Sequence, residues 1–431
     1  MSSHDSRRSF FKKTAYTGAV AAAMMSNMGS RLEQAVEAQP LSSSPSKLRV
    51  TSVDWAYLGG RLFVRVKTNQ GIMGTGEGVD AIGGSQGLIE QFGLQIVNQN
   101  PLDIHRIFYS IRTRGIFGGA QSGKYISVLG TLEWALWDLA GKALGVPMYR
   151  LLGGKFRDKC RVYRDSADAS EPKEVWAETC VQAMKDGWNA VKFDLDWRGD
   201  PHKLDPFNWS ASPGEVERMV EQVAAAREAA GPYLDIAVDM HGRFDLPAAL
   251  RVTKALEPYN LMWVEEPVPA ENFDALREVT MSTSTPICVG ENSFLAADFR
   301  KILEKRASDI IMPDMHKCGG AGESQRIANL AALYYVPFAP HSQASPLGAA
   351  GGAHVTASIP NHLVSEWHWS GRQQQWDNWV ISDVPVLEKG YYNVIEKPGC
   401  GVELNDEYVK GQVGQFGGGT TPSMSPNFFT N

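Results

Sequence analysis

Between residues 48 and 78 apolar and polar residues alternate, as in Leu62-Phe63-Val64-Arg65-Val66-Lys67, and the run closes on Gly74-Thr75-Gly76-Glu77-Gly78. Alternation at period two marks half-buried strands and the glycines mark turns, so this stretch predicts an antiparallel meander. From about 85 to 145 the period changes. Leu132, Ala135, Leu136, Leu139 and Leu144 recur near every 3.6 residues, which predicts a helix over 130–144. An α+β unit spanning 48–155 therefore comes first, and its boundary falls at Leu151-Leu152-Gly153-Gly154-Lys155, where paired glycines end the helical pattern.

Beyond the boundary, short apolar runs at 160–164, 190–194, 234–239, 261–265, 286–290, 309–313, 336–340 and 363–366 are separated mostly by amphipathic stretches. One such stretch, 215–230, carries Val216, Met219, Val220 and Val223 on a single stripe. Eight strands alternating with helices predict an α/β fold with a β/α barrel over 156–370. No clear helix follows the eighth run. Residues 371–416 read as an irregular segment that returns to cover the first unit, and 417–431 as a disordered Gly/Ser/Thr/Pro tail. The longest interruption, 197–213, follows the second strand and carries Trp197, His202, Phe207 and Trp209 on the face of the barrel where loops set substrate choice.

Composition narrows the partners. A chain of 431 residues with 43% apolar and 21% charged residues is globular, and a net charge of −6 without a long basic run gives no footprint for nucleic acid. A small-molecule substrate is expected. Five scattered cysteines, an odd number, read as buried thiols. Ser6-Arg7-Arg8-Ser9-Phe10-Phe11-Lys12, a weakly apolar stretch to Met28, and Val36-Glu37-Ala38 together predict a twin-arginine export segment over 1–40 and a periplasmic destination, with no membrane span.

Chemistry gathers at the strand ends. Asp239, Glu265 and Glu291 each close an apolar run, at equal intervals of 26 residues, about one βα unit. Three carboxylates converging at one end of a barrel make a cage for a hard divalent cation, and Mg²⁺ is expected. Asp314, His341 and Glu366 close the sixth, seventh and eighth runs. An aspartate beside a histidine orients the imidazole as a general base, so Asp314 and His341 are the base candidates. His241 returns to the side of Asp239 by the two-residue repeat and is placed to be an acid or a substrate donor. Lys192 either neutralises a substrate carboxylate or pairs with Asp194; Asp194, Arg243 and Trp367 are further candidate substrate contacts. A metal, a base and an acid in one mouth suit proton removal beside a carboxylate and departure of a β-hydroxyl.

Over 48–413 the chain resembles the mandelate racemase-like group of the enolase superfamily, and within it the galactonate dehydratase-type sugar-acid dehydratases. The resemblance rests on Leu151-Leu152-Gly153-Gly154, Trp263-Val264-Glu265-Glu266-Pro267, Gly290-Glu291-Asn292, Pro340-His341 and Asp239-Met240-His241-Gly242-Arg243. It implies a modified TIM barrel, (β/α)₇β, with an N-terminal α+β capping domain, and a homo-oligomer. It implies Mg²⁺ on Asp239, Glu265 and Glu291, a His341/Asp314 dyad, His241 as general acid and Glu366 as a hydrogen-bonding acid. The group's racemases carry Lys-x-Lys on the second strand; here it reads Lys192-Phe193-Asp194, without the second lysine. Dehydration of an aldonic acid to a 2-keto-3-deoxy acid is the activity implied, with epimerase, racemase or cycloisomerase chemistry, or binding of an acid sugar without turnover, as the alternatives.

Overall fold

Three strands, β1 (Val50–Leu58), β2 (Arg61–Thr68) and β3 (Met73–Gly78), form an antiparallel sheet in which Trp55 pairs with Val64 and Val64 with Gly76. The computed structural model describes residues 44–80, 83–368, 376–414 and 423–430. The export segment read over 1–40 lies outside them, as do 371–375 and 417–422. Helices α1 (Ser85–Ile96), α2 (Ile104–Arg114) and α3 (Gly123–Leu144) follow the sheet. Of these α3 is buried along almost its whole length, because one side packs on β3 and the other meets the barrel. The first contact is close enough to demand glycine: a Cβ on Gly76 would stand 2.2 Å from the Thr131 carbonyl oxygen. On the barrel side, Trp134 Nε1 donates to the Met315 carbonyl at 3.0 Å, and Glu133 accepts from the Ala321 and Gly322 amides.

After the short α4 (Met148–Leu151) the barrel strands run β4 (Lys159–Asp165), β5 (Ala190–Asp194), β6 (Asp235–Asp239), β7 (Trp263–Glu265), β8 (Ile287–Val289) and β9 (Ile310–Ile311), all parallel. The seventh position is reduced to parallel bridges from Phe338 to Ile311 and to His362. Then β10 (Ser365–Trp367) pairs in parallel with β4 and closes the ring. Seven helices, α5 (Lys173–Lys185), α6 (Pro213–Ala230), α7 (Leu246–Leu256), α8 (Phe273–Ser282), α9 (Leu295–Lys305), α10 (Ala321–Leu333) and α11 (Pro346–Ala357), follow the first seven positions. The fold is a (β/α)₇β barrel with a capping domain. Inside, Tyr163, Ala190, Ala237, Trp263, Cys288, Met312, Ala339 and Val364 fill the floor, and alternation places the next inward residue of each strand at the mouth. All five cysteines are buried and unpaired.

The chain beyond β10 lies on both parts. Tyr391–Asn393 adds an antiparallel strand to β4, Trp379 packs its ring on Phe63, and Arg65 pairs with Asp406. Residues 423–430 correct the expectation of a disordered tail. Met424 bridges to Ala56, and Phe428 is fully buried beneath the Arg65 guanidinium, which also donates to its carbonyl at 2.9 Å. A polar Gly/Ser/Thr/Pro average hides three apolar side chains, Met424, Phe428 and Phe429, whose packing against the core holds the segment.

Candidate active site

β6, β7 and β8 deliver Asp239, Glu265 and, one residue past a glycine, Glu291 to one point. One carboxylate oxygen of each lies within 4.8 Å of the others. Each strand ends in an unusual turn, with φ +49° at His241, +34° at Glu266 and +142° at Gly290, conformations that cost energy and cluster where a site constrains the backbone. The Lys192 ammonium sits among these acids, 3.3 Å from Asp239 Oδ2, 3.3 Å from Glu265 Oε1 and 3.0 Å from Glu366 Oε1. It does not pair with Asp194. Burial, followed by repulsion from Asp239, pushes the Glu265 carboxyl well above its usual range in spite of Lys192. Buried carboxylates held this close want more positive charge than one ammonium supplies. An all-oxygen, anionic donor set fits a hard divalent cation such as Mg²⁺.

Across the mouth, His341 Nδ1 lies 2.7 Å from Asp314 Oδ2, while Nε2 lies 3.0 Å from Glu291 Oε2 and 3.6 Å from Glu366 Oε2. Asp314 is itself fixed, accepting from the His316 amide at 2.8 Å. Burial would lower the His341 imidazole, but Glu366, Glu291 and Asp314 together raise it well above its ordinary value. A base must be neutral to accept a proton. Positive charge on Glu291 from a bound cation would remove one of the groups holding His341 protonated.

His241 occupies the third-strand side. Its amide donates to Asp239 Oδ1 at 2.7 Å, its Nδ1 lies 2.5 Å from Asp196 Oδ1, and its Nε2 stands 3.4 Å from Asp239 and 3.9 Å from Asp194. Burial works against the charged ring, yet Asp196, Asp239 and Asp194 outweigh it and raise the imidazole to about 10. At neutral pH it carries a proton to give. Arg243 grips the other oxygen of Asp196 at 2.5 Å, so it acts on His241 through that carboxylate. Glu366 Oε2 accepts from the Ser342 amide at 2.6 Å, which aims the carboxylate at the mouth between His341 and Lys192.

One expected contact is corrected. Trp367 turns away from the mouth into the core, its ring 6.2 Å from Trp376 and 5.9 Å from Tyr392, because it alternates with the inward-facing Glu366. Three groups escaped the sequence reading. Asp196 orients His241. Glu266 accepts from Gly290 N at 3.3 Å and Asn292 Nδ2 at 2.8 Å, and its burial beside Glu291 lifts it to about 7. Asp165, at the end of β4, pairs with His368 at 2.7 Å. The signal for Asp165 was present: it immediately follows the first apolar run, as the other strand-end acids follow theirs. Asp196 and Glu266 stand beyond the period-two pattern, where the chain turns. The 197–213 insertion encloses a cavity of about 270 Å³ lined by Trp197, Phe207 and Trp209 together with Asp196 and Arg243.

Known proteins share this architecture. A family model described as mandelate racemase/muconate lactonizing enzyme, N-terminal domain, matches residues 31–153, and one described as enolase C-terminal domain-like matches 175–408. D-xylonate dehydratase of Haloferax volcanii is 40% identical over 369 residues, covering 85% of this chain and 88% of that protein. D-galactonate dehydratase of Variovorax paradoxus is 31% identical, covering 81% and 90%. The crystal structure of a mandelate racemase/muconate lactonizing enzyme-like protein from Rubrobacter xylanophilus superposes with a TM-score of 0.82 at 40% identity, covering 86% of this chain and 98% of that one.

Proposed function

The chain belongs to the mandelate racemase/muconate lactonizing enzyme family of the enolase superfamily, and from that premise we propose that it is a Mg²⁺-dependent aldonate dehydratase, a hydro-lyase that yields a 2-keto-3-deoxy acid. The observation that carries the reading is the pair of histidines, each held by its own aspartate, on either side of three converging carboxylates. Relatives named for D-xylonate and D-galactonate support a sugar-acid substrate of five or six carbons.

Asp239, Glu265 and Glu291 would hold the cation. When bound, the cation takes up the negative charge that grows on the substrate carboxylate as the α-proton leaves, which is the main electrostatic requirement of the step. His341 Nε2 accepts the C2 proton while Asp314 stabilises the imidazolium that results. His241 gives its proton to the C3 hydroxyl, which departs as water with its bonding electron pair. Glu366 and Lys192 hold each other in place at the edge of the reacting centre. The enol left behind takes a proton at C3 and releases one from its oxygen, His341 gives its proton to water and His241 takes one up, so the product is one water poorer than the substrate and both histidines are reset. An epimerase would need a second base on the opposite face, and on the second strand Asp194 stands where that lysine would be, facing the already protonated His241.

The test is a panel of five- and six-carbon aldonates assayed for 2-keto acid with Mg²⁺ and again with chelator. Keto acid that appears only with the metal supports the reading. An isomeric acid without keto product would point to epimerase or cycloisomerase chemistry, and binding without C2 proton exchange to a carrier.

A further inference from the structure

Among the groups at the barrel mouth that the proposed reaction does not use, the Asp165–His368 pair is the most complete. Asp165 ends β4, and His368 stands two residues past Glu366, just beyond β10, the strand that pairs with β4. His368 Nδ1 lies 2.7 Å from Asp165 Oδ2, and one atom each of Asp165, Glu366 and His368 fall within 4.8 Å of one another. Because Glu366 reaches to 3.6 Å from His341 Nε2, the pair adjoins the reacting centre. Asp165 is mostly buried, and burial alone would raise its carboxyl, but the hydrogen bond to His368 and the nearby Lys192 charge hold it below its ordinary range. Asp165 engages Nδ1 and so fixes the ring with Nε2 as the nitrogen left to meet a ligand. Among the described residues no group satisfies that nitrogen, and 34% of the His368 side chain is open.

The position on the ring says what this edge meets. The cation-binding acids come from β6, β7 and β8, and His341 follows the seventh position, so the first and eighth strands border the far arc of the mouth. A substrate fixed by its carboxylate over β6–β8, with C2 at His341 and C3 at His241, extends its remaining hydroxyls toward that arc. We propose that His368, oriented by Asp165, is a specificity-determining residue whose Nε2 hydrogen-bonds the first hydroxyl beyond C3. A second cation on Asp165, Glu366 and His368 is disfavoured, because the Lys192 ammonium already sits 3.0 Å from Glu366. The inference rests on the sugar-acid reading.

Binding is measured by calorimetry with Mg²⁺ in an H341Q background, which blocks turnover, using a five-carbon aldonate and its 4-deoxy analogue. H368L should weaken the aldonate by about tenfold, the scale of one hydrogen bond, and leave the 4-deoxy acid unchanged. D165N should do the same through loss of orientation, and H368Q should recover part of the loss because its amide can still hydrogen-bond a hydroxyl. Equal effects on both acids, no effect on either, or no binding of either acid to the His368-containing protein would each overturn the assignment. The keto acid assay on the unmodified protein reports on dehydration separately. Discrimination at the 4-hydroxyl without keto acid sinks the dehydratase reading alone, and keto acid without that discrimination sinks the role of His368 alone.

Discussion

At the scale of single residues the site is a balance of charge. Asp239, Glu265 and Glu291 converge on one point; neutralising Glu265, which burial and Asp239 push upward, removes a ligand and relieves repulsion, whereas neutralising Glu291, which His341 holds low, removes a ligand and an ion pair. D239N, E265Q and E291Q should each bind Mg²⁺ far more weakly in calorimetry and lose at least about a thousandfold in turnover, the scale seen when a main electrostatic element is deleted. Thermal stability should be kept or slightly raised in E265Q, where repulsion falls, and lowered in E291Q, where the pair with His341 is lost. His241 gives a signature in pH. Its folded value near 10 means that the acid is charged throughout the neutral range and loses its proton only as pH rises through about 10. Dehydration should therefore hold up into alkaline solution and then fall; cation bound at Asp239 weakens one support of that proton and moves the fall to lower pH. H241N should abolish this limb and slow keto acid formation by about a hundredfold or more, while C2 proton exchange at His341 persists. The ligands, His341, Asp314 and Glu366 were legible in the sequence because each stands at the end of an apolar run, and His241 because it lies two residues past one of them. Trp367 was misplaced by one step of strand alternation, and the same alternation applied past Glu366 points to His368.

At the scale of elements the capping domain and barrel are joined by contacts that tolerate little change. Gly76 lies against the backbone of α3, where a Cβ would meet Thr131 O at 2.2 Å and Ala135 N at 2.6 Å. G76A should destabilise the protein by about 3 kcal/mol or more in chemical denaturation, because neither contact atom belongs to a flexible side chain. α11 is held by His354, whose Nδ1 faces the Tyr149 amide at 3.4 Å and whose Nε2 faces the Cys400 carbonyl at 3.1 Å. That pattern uses a neutral ring, and burial lowers its value to about 4, with His362 near 3. The unfolded chain takes up these protons first as pH falls below about 6.5, so stability is lost from there down to about pH 4 through His354 and about pH 3 through His362. His354 alone accounts for about 3 kcal/mol of that loss. H354Q should flatten the decline in a pH series of melting temperatures. The meander and the α3 helix were legible because period two and period 3.6 persist for many residues, and the barrel strands because short apolar runs recur between amphipathic stretches. The seventh strand was overcalled as 336–340, since an apolar run reports burial, and burial here is delivered by two bridges around Phe338.

At the scale of the whole molecule, what the sequence hid is long-range. Nothing local in 423–430 says that Phe428 will find Arg65, some 360 residues earlier, and F428A should loosen the capping sheet before it affects the barrel. The Leu204, Phe207 and Trp209 side chains of the insertion stand at 87%, 89% and 51% accessibility, and the proposal that they meet a second copy of the chain is tested by light scattering of a variant with these three made polar. Export through Arg7 and Arg8 remains a proposal, tested by fractionation after both are changed to lysine. The central claim is that cation, base and acid act together in one elimination. It is tested most directly by following an aldonate turned over by the enzyme in D₂O with Mg²⁺ by NMR. The account predicts loss of the C2 proton, departure of the C3 hydroxyl, one deuterium at C3 of a 2-keto-3-deoxy acid, and no reaction with chelator or in H341Q. A product that keeps its C3 hydroxyl, or conversion that survives chelation, would contradict it.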